Sequence, residues 1–421
     1  MKNLSSYISG VRKNEKYFLF LQKYRIFIQL MNKLYFIFLS LVMAMLFRPV
    51  SSPAQGTLRL GDSAFASLIT CAPGDEFYEC FGHSALRICD SSRGLDIVFN
   101  YGIFSFDQPF FYLKFAHGSL KYQLAVQRFD LFLFEYDYYG RAVYEHRLLL
   151  SHDELLRLYA ALADNAKPEN KYYSYDFFRD NCATRVDHMI DAALDSNRHI
   201  RSPRTFGRTS YRDLLHRYNP SMPWWQLGTD ILLGARCDRP ISAKQLRFIP
   251  SEMMSQYDTL RLSDGSPLAA PMHQVLPNHR APLPYGISPT IVMWLLFVAV
   301  AALSLVAQRK GWKLYWLDLP IFFILSSISL LLLFLWFGSD HWCTKWNLNL
   351  LWANPLFLWP LFRLRKPRKA DCLPLIFILL FTLAAWPFGL QKLNAAVLPI
   401  ILIIIARLSV RLSRVCHSSN N

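Results

Sequence analysis

Hydrophobic positions are distributed unevenly along this chain. From residue 287 onward, long apolar blocks alternate with short basic ones. Ile287–Ala307 and Trp316–Phe337 each hold about 20 apolar residues, the length a bilayer requires. Leu348–Phe362, Cys372–Gly389 and Ala395–Leu408 are shorter or interrupted by proline, yet strongly apolar. The pattern therefore predicts an all-α bundle of five membrane-spanning helices over 287–410, followed by a cytoplasmic tail at 411–421. A further apolar run, Leu34–Phe47, follows Lys33 and precedes the small residues of "SSPAQ". This is the shape of a secretory signal with cleavage near Ala54, and Met31 is a possible start. An uncleaved anchor is the alternative, so 1–55 reads as an N-terminal extension and signal segment.

Charge fixes the orientation. The loop after the first span carries Arg309, Lys310 and Lys313, and the loop after the third carries Arg363, Arg365, Lys366, Arg368 and Lys369. Arg407, Arg411 and Arg414 mark the tail, whereas the loops after spans two and four hold only Lys345 and Lys392. Basic loops stay in the cytoplasm, so the region before the first span lies outside it, in agreement with the signal. The net charge of +16 has the same origin. Between Gly56 and Gly286 there are 25 Lys and Arg against 26 Asp and Glu, and the excess sits on the flanks. A nucleic-acid binder would carry it on the folded domain; the distribution points to a bilayer and away from a polyanion partner.

Residues 56–270 read as an α+β exported domain. "SLITCA", "GHSALRICD" and "LDIVFNYGIF" are strand-like, and the last two form a hairpin across "DSSRG". "SHDELLRLYAALADNA" is a helix opened by a capping box of Ser151 and Glu154. "DNCATRVDHMIDAAL" has helical spacing, with Asp180 or Asn181 as N-cap. Pro-rich residues 271–286 form a linker. The aromatic residues Tyr112, Phe132, Phe134, Tyr136, Tyr138 and Tyr139 either meet lipid or fill a sheet core, and base rates favour the core.

Six of the eight cysteines face the export compartment, where disulfides form and pairing is not readable from sequence. Cys71, Cys80, Cys89 and Cys237 fit that account. A Cys80–Cys89 bridge would flank His83. No C-x-x-C occurs, so the pattern suggests no metal and no other cofactor. Cys182 differs because it falls in the first turn of a helix, where the dipole and free N–H groups stabilise a thiolate and can cradle an oxyanion. Its candidate base is His83, which opens a strand after Gly82. If "DIVFNYG" pairs with that strand, Asp96, Val98 and Asn100 share a face, and Asn100 either orients the imidazole or merely ends the strand. Arg141 is a candidate for a lipid phosphate; Arg198, Arg201, Arg204, Arg208 and Arg212 read as a solvated face. His341 and Asn347 at the outer mouth of the spans, with Asn349 and Asn354 beyond, suggest a headgroup role or helix–helix hydrogen bonds.

A helix-start cysteine with a strand-borne histidine resembles the papain-like arrangement. Here His83 precedes Cys182 by 99 residues, the order of the circularly permuted branch that includes the lecithin:retinol acyltransferase-like enzymes. The segments "LITCAPGDEFYECFGHSALRICD", "DIVFNYGIFSF", "FYLKFAHGSLKYQL", "YDYYGRAVYEHRLLLS" and "YDFFRDNCATRVDHMID" resemble the Lnb family more specifically. These are lipoprotein N-acyltransferases of Bacteroidota with an exported domain and a multi-span part. The resemblance covers roughly residues 64–194, and 340–355 more loosely. It implies a permuted papain-like (NlpC/P60-like) domain in the periplasm of an inner-membrane protein. It also implies transfer of an acyl chain from a membrane phospholipid to the α-amino group of a diacylglyceryl-cysteine lipoprotein. On this resemblance Cys182 carries the acyl thioester and His83 is general base and acid. A cell-wall cysteine peptidase or amidase and a non-enzymatic scaffold with Cys182 in a disulfide are the competing expectations.

Overall fold

The structure, a computed structural model, describes residues 60–76, 79–201, 206–281 and 284–418. The predicted signal segment lies outside the described residues. Seven antiparallel strands form one sheet in the order β6-β4-β3-β2-β1-β5-β9: β1 (Phe65–Cys71), β2 (His83–Asp90), β3 (Leu95–Ile103), β4 (Lys121–Arg128), β5 (Val143–Arg147), β6 (Tyr172–Ser174) and β9 (His273–Leu276). β7 (Phe206–Ser210) and β8 (Pro240–Ser242) make a separate ribbon. The predicted hairpin is β2–β3, paired Leu86 to Phe99 and Asp90 to Leu95. β1 is buried on both faces, its small polar residues Ser67 and Thr70 included.

Each face of the sheet has a cover. On one side α3 (His152–Asn165) and α4 (Cys182–Ala193) bury Leu155, Leu158, Val186 and Ile190 against Leu68, Leu86 and Phe99. The Ser151–Glu154 capping box opens α3 as expected, and Asn181 caps α4 by accepting from the Thr184 N–H. On the other side α2 (Phe129–Tyr138) sets Phe129, Phe132 and Tyr136 on Ile69, Ala85 and Val98. A short helix, α1 (Phe111–His117), stands between β3 and β4.

Two expectations change here. The aromatic stretch around residue 134 is a helix and not part of the sheet: Phe129, Phe132, Leu133 and Tyr136 recur at helical spacing and face inward. Phe132 is fully buried and Tyr136 nearly so, whereas Phe134 and Tyr138 are 70% and 76% exposed. Within the predicted linker, His273–Leu276 is an edge strand on β5. Pro271 and Pro277 bound it, and an edge position tolerates such neighbours.

After α5 (Tyr211–Tyr218), α6 (Pro223–Leu232) and α7 (Pro250–Tyr257), the apolar third begins. Three helices among the described residues, not five, have the length and composition to cross a membrane: α8 (Pro289–Arg309), α9 (Tyr315–Phe337) and α10 (Lys369–Ala385, extended by a turn to Phe388). Leu348–Phe362 is instead two 3-10 turns and a five-residue helix, interrupted at Asn354–Pro355. α11 (Val397–Ser418) has the length, but Arg407, Arg411 and Arg414 interrupt its apolar face.

The sheet domain and the helices share a polar joint. Asp230 on α6 accepts from Arg212 (2.8 Å), His216 (3.0 Å) and Asn394 (2.8 Å), and Arg212 also grips Asp238. The Asp230 carbonyl accepts from Asn349, and the Ile231 and Leu232 carbonyls from Asn347. Arg212 and Asp230 are both almost wholly buried. Asp230→Ala strands the charge of Arg212 against one remaining carboxylate, and the expected loss is about 3 kcal/mol. Thermal unfolding of the full chain in detergent should show a clear drop in midpoint, with Asp230→Asn falling less.

Candidate active site

Three strand and helix ends converge beside α4. His83 is the first residue of β2 and follows Gly82, whose φ of +79° and whose closeness to the Cys71 carbonyl (2.6 Å from an added Cβ) admit only glycine. Cys182 is the first residue of α4. Its cap, Asn181, donates to the carbonyls of Phe177 and Phe248, so the helix start is pinned from two loops. Asn100 lies on β3, on the same face as Val98 and two positions from the level of His83.

His83 Nε2 meets Asn100 Oδ1 at 2.5 Å, which leaves Nδ1 for the thiol. A side-chain hydrogen bond joins His83 and Cys182. Burial disfavours charge on both, yet each supplies the other's counter-charge. Burial pushes the Cys182 thiol up, but the facing imidazolium and its hydrogen bond outweigh it, assisted by the backbone N–H groups of Ser84 and Ala183, and the net shift is downward. Burial pulls His83 down, but attraction to the Cys182 thiolate and hydrogen bonds to Cys182 and Asn100 leave it raised. The pair is therefore stabilised as thiolate and imidazolium. Cys71, Cys80, Cys89 and Cys237 move the other way, with burial foremost for the first three and contact with Cys343 foremost for Cys237.

Cys182 is a free thiol, so the bridged-scaffold expectation finds no disulfide here. A Cys80–Cys89 bridge is also excluded. Cys89 sits at the far end of β2, about 20 Å along the strand from His83, and Cys80 accepts from Asn219.

The dyad lines a cavity of about 590 Å³, a size that takes a small organic ligand. Aromatic side chains from the exported domain make much of its wall, including Phe104, Tyr122, Tyr175 and Trp225. His341 and Cys343, from the outer loop after α9, complete it.

Of the other candidates, Arg141 lines this cavity but its guanidinium is engaged. Nε donates to the Ala72 carbonyl at 2.9 Å, Nη1 pairs with Glu79 at 3.1 Å, and the group lies over the Tyr136 ring. His341 is at the cavity, and its Nε2 donates to the Phe115 carbonyl at 2.9 Å. Asn347 is not at the cavity; it belongs to the polar joint. In the arginine cluster, Arg198 pairs with Glu154 and Asp264, and Arg212 is buried in the joint. Among the described residues no group of His, Cys, Asp and Glu is placed to hold a metal ion.

Sequence reasoning missed Gly102. Its φ is +92°, and an added Cβ would lie 3.6 Å from Cys182 Cβ and 4.0 Å from His83 Cε1. It leaves open the space directly over the dyad. The only sequence signal was a glycine inside a strand pattern. Glu79, beside Arg141 in the cavity wall, and the Ser84 N–H gave no signal at all.

Comparison with known proteins places the chain in a family. Residues 57–217, which contain His83, Asn100 and Cys182, match the family model of the Lnb N-terminal periplasmic domain. Residues 282–418 match that of the Lnb transmembrane domain. The chain belongs to the Lnb family. It is thus a multi-pass membrane protein of lipoprotein maturation, with a periplasmic domain ahead of its membrane helices. No curated protein and no solved structure matches it. The Lnb periplasmic match contains Arg212 and His216 of the joint and ends before Asp230, and the Lnb transmembrane match contains Asn347, Asn349 and Asn394.

The two opposed pKa shifts give a test independent of any substrate. With His83 in place Cys182 is deprotonated below the usual thiol range, so iodoacetamide should label it at pH 7.5. In His83→Ala the imidazolium and its hydrogen bond are lost, only the Ser84 and Ala183 N–H groups oppose burial, the thiol shifts upward, and labelling at that pH should fall at least about 10-fold. Gly102→Ala forces a side chain onto a left-handed backbone at the cost of on the order of 1–2 kcal/mol, and should lower both the labelling rate and the melting temperature.

Proposed function

We propose that this protein is a lipoprotein N-acyltransferase working through a cysteine thioester. The observation that carries the reading is the contact of Cys182 with His83 at the wall of a largely apolar cavity to which the membrane part contributes His341 and Cys343. A peptidase has no evident use for an apolar chamber closed by a loop between membrane helices. The helix-start cysteine facing a strand-borne histidine and asparagine also supports a permuted papain-like layout for the sheet domain.

The steps follow from the geometry. The Cys182 thiolate attacks an ester carbonyl carbon of a phospholipid, forming a C–S bond. The backbone N–H groups of Ser84 and Ala183, which favour the thiolate, adjoin that carbon. Collapse breaks the ester C–O bond, and His83 gives its proton to the departing lysophospholipid oxygen. The neutral α-amine of a diacylated lipoprotein then attacks the thioester. His83 takes its proton, an amide forms, and the thiolate is released. Splitting the transfer through a thioester replaces one difficult step by two easier ones. Asn100 acts as a positioning residue, holding Nε2 so that Nδ1 stays on the sulfur.

Both substrates lie in the outer leaflet, and the membrane part keeps the site there. All five apolar segments are proposed to cross. Leu348–Phe362 would span only roughly 22 Å as an α-helix; its 3-10 turns, Leu348–Leu351 and Pro355–Phe357, rise about 2 Å per residue and lengthen it to roughly 26 Å, within reach of a locally thinned bilayer. Its ends support this. Asn349 binds the periplasmic Asp230 carbonyl, while the Arg363 carbonyl receives Arg411, itself paired with Asp318 at the opposite end of α9.

Intact-mass spectrometry of the purified protein after incubation with phospholipid, without acceptor, should show a gain of one acyl chain that hydroxylamine removes. Cys182→Ala should show none, and His83→Ala should slow the gain by about 10²–10⁴-fold. Asn100→Ala should slow it less and narrow the pH range of activity. No gain in the wild-type protein, with Cys182 free and reactive, would overturn the reading.

A further inference from the structure

The cavity opens beside a surface that the chemistry above does not use. α2 carries apolar residues on both faces: its inner face fills the sheet core, while Leu131, Phe134 and Tyr138 form an outer ridge more than half exposed, flanked by the exposed carboxylates of Asp130, Glu135 and Asp137. α1 is similar, with Phe110, Tyr112 and Leu113 exposed at 76%, 80% and 63%. A helix apolar on both faces is ordinarily buried on both, and exposed apolar patches of this extent mark a surface that meets something. Between these helices, Phe106, Phe115 and Tyr139 form the rim of the catalytic cavity.

Two further observations identify the occupant. α1 is fastened to the outer end of α9: the Asp340 N–H donates to the His117 carbonyl at 2.7 Å, and His341 to that of Phe115. The patch therefore lies at the level where the membrane helix leaves the bilayer. The second is backbone strain. Phe110 and Trp346 are the only non-glycine residues at positive φ among the described residues, both at +57°. Bulky side chains are rare there, and both project from the surface, at 76% and 57% exposure. Trp346 sits in the same outer loop as His341. Aromatic residues at a membrane surface are at home in the interface.

We infer that the outer face of α1 and α2 is inserted in the outer leaflet of the bilayer, and that the gap between them is a side entrance through which a phospholipid acyl chain reaches Cys182. The entrance rests on the acyl-transfer reading; the insertion does not. A donor entering sideways keeps its chains in apolar surroundings from bilayer to thiol, and its headgroup stays at the interface.

The test uses the full chain in vesicles of phosphatidylethanolamine and phosphatidylglycerol. A benzophenone-bearing phenylalanine replaces Phe110 or Phe134, with Asp153 on α3 as an exposed control. Irradiation should yield lipid adducts by intact mass at the first two positions and not at the third, also in a Cys182→Ala background. Absence of lipid adducts at both Phe110 and Phe134 would overturn the insertion. The double variant Phe110→Asp/Phe134→Asp should form the acyl-enzyme from vesicle phospholipid at least about tenfold more slowly. Its rate with a short-chain phospholipid in solution, and its iodoacetamide labelling, should stay at wild-type values. An unchanged vesicle rate would overturn the entrance. Wild-type protein that gives adducts but never an acyl-enzyme would overturn the acyl-transfer reading and the entrance with it, and leave the insertion standing.

Discussion

The mutual neutralisation of two buried groups at the first turn of α4 governs this structure. Burial disfavours charge on Cys182 and on His83, and their contact outweighs it, shifting the thiol downward and the imidazole upward. That contact exists only if the helix start and the strand start are brought to the same point. Ala183, Val186, Ile190 and Ala193 do this by packing α4 on Leu68, Leu86 and Phe99, while Asn181 fastens the helix end to Phe177 and Phe248. The packing that stabilises the sheet domain is therefore also what sets the thiol pKa, and a loss of fit along α4 would appear first as a loss of reactivity.

A second constraint holds the domain against the membrane helices. The Asp230 joint is buried and its partners are divided between the two parts, so that separating them would strip Asp230 of Asn394 and leave Asn347 and Asn349 without the carbonyls they bind. Joints of this kind define an orientation more than they add stability. Here the orientation places the outer loop with His341 and Cys343 across the cavity and sets α1 at the end of α9.

Much of the site was legible because its parts leave local marks. The hairpin, the Ser151 cap and the Asn181 cap come from short-range rules, and a cysteine one residue beyond a cap is visible as a candidate nucleophile. Asn100 was reachable through strand alternation, since one face of β3 must carry Val98 and Asn100 together. The aromatic segment misled because Phe, Leu and Tyr occupy both faces of α2, and the outward Leu131, Phe134 and Tyr138 mask the helical recurrence of Phe129, Phe132, Leu133 and Tyr136. The membrane count misled differently. Leu348–Phe362 has the composition of a span, but its prolines and asparagines favour 3-10 turns over a continuous helix. Asn347 looked like a headgroup ligand, and whether a polar side chain meets a lipid or a backbone carbonyl depends on a partner more than 100 residues away.

The sequence by itself determined the two-part organisation and the periplasmic side of the first part, and singled out Cys182 and His83 as candidates, because length, charge and capping act within a few residues. Only the tertiary structure decided that the pair meets, that Gly102 leaves room above it, that Arg141 is already engaged, and that one face of the aromatic helices remains uncovered. Each of these depends on which surfaces of distant segments come together, and a chain encodes that through the packing of the whole sheet and not through any local pattern.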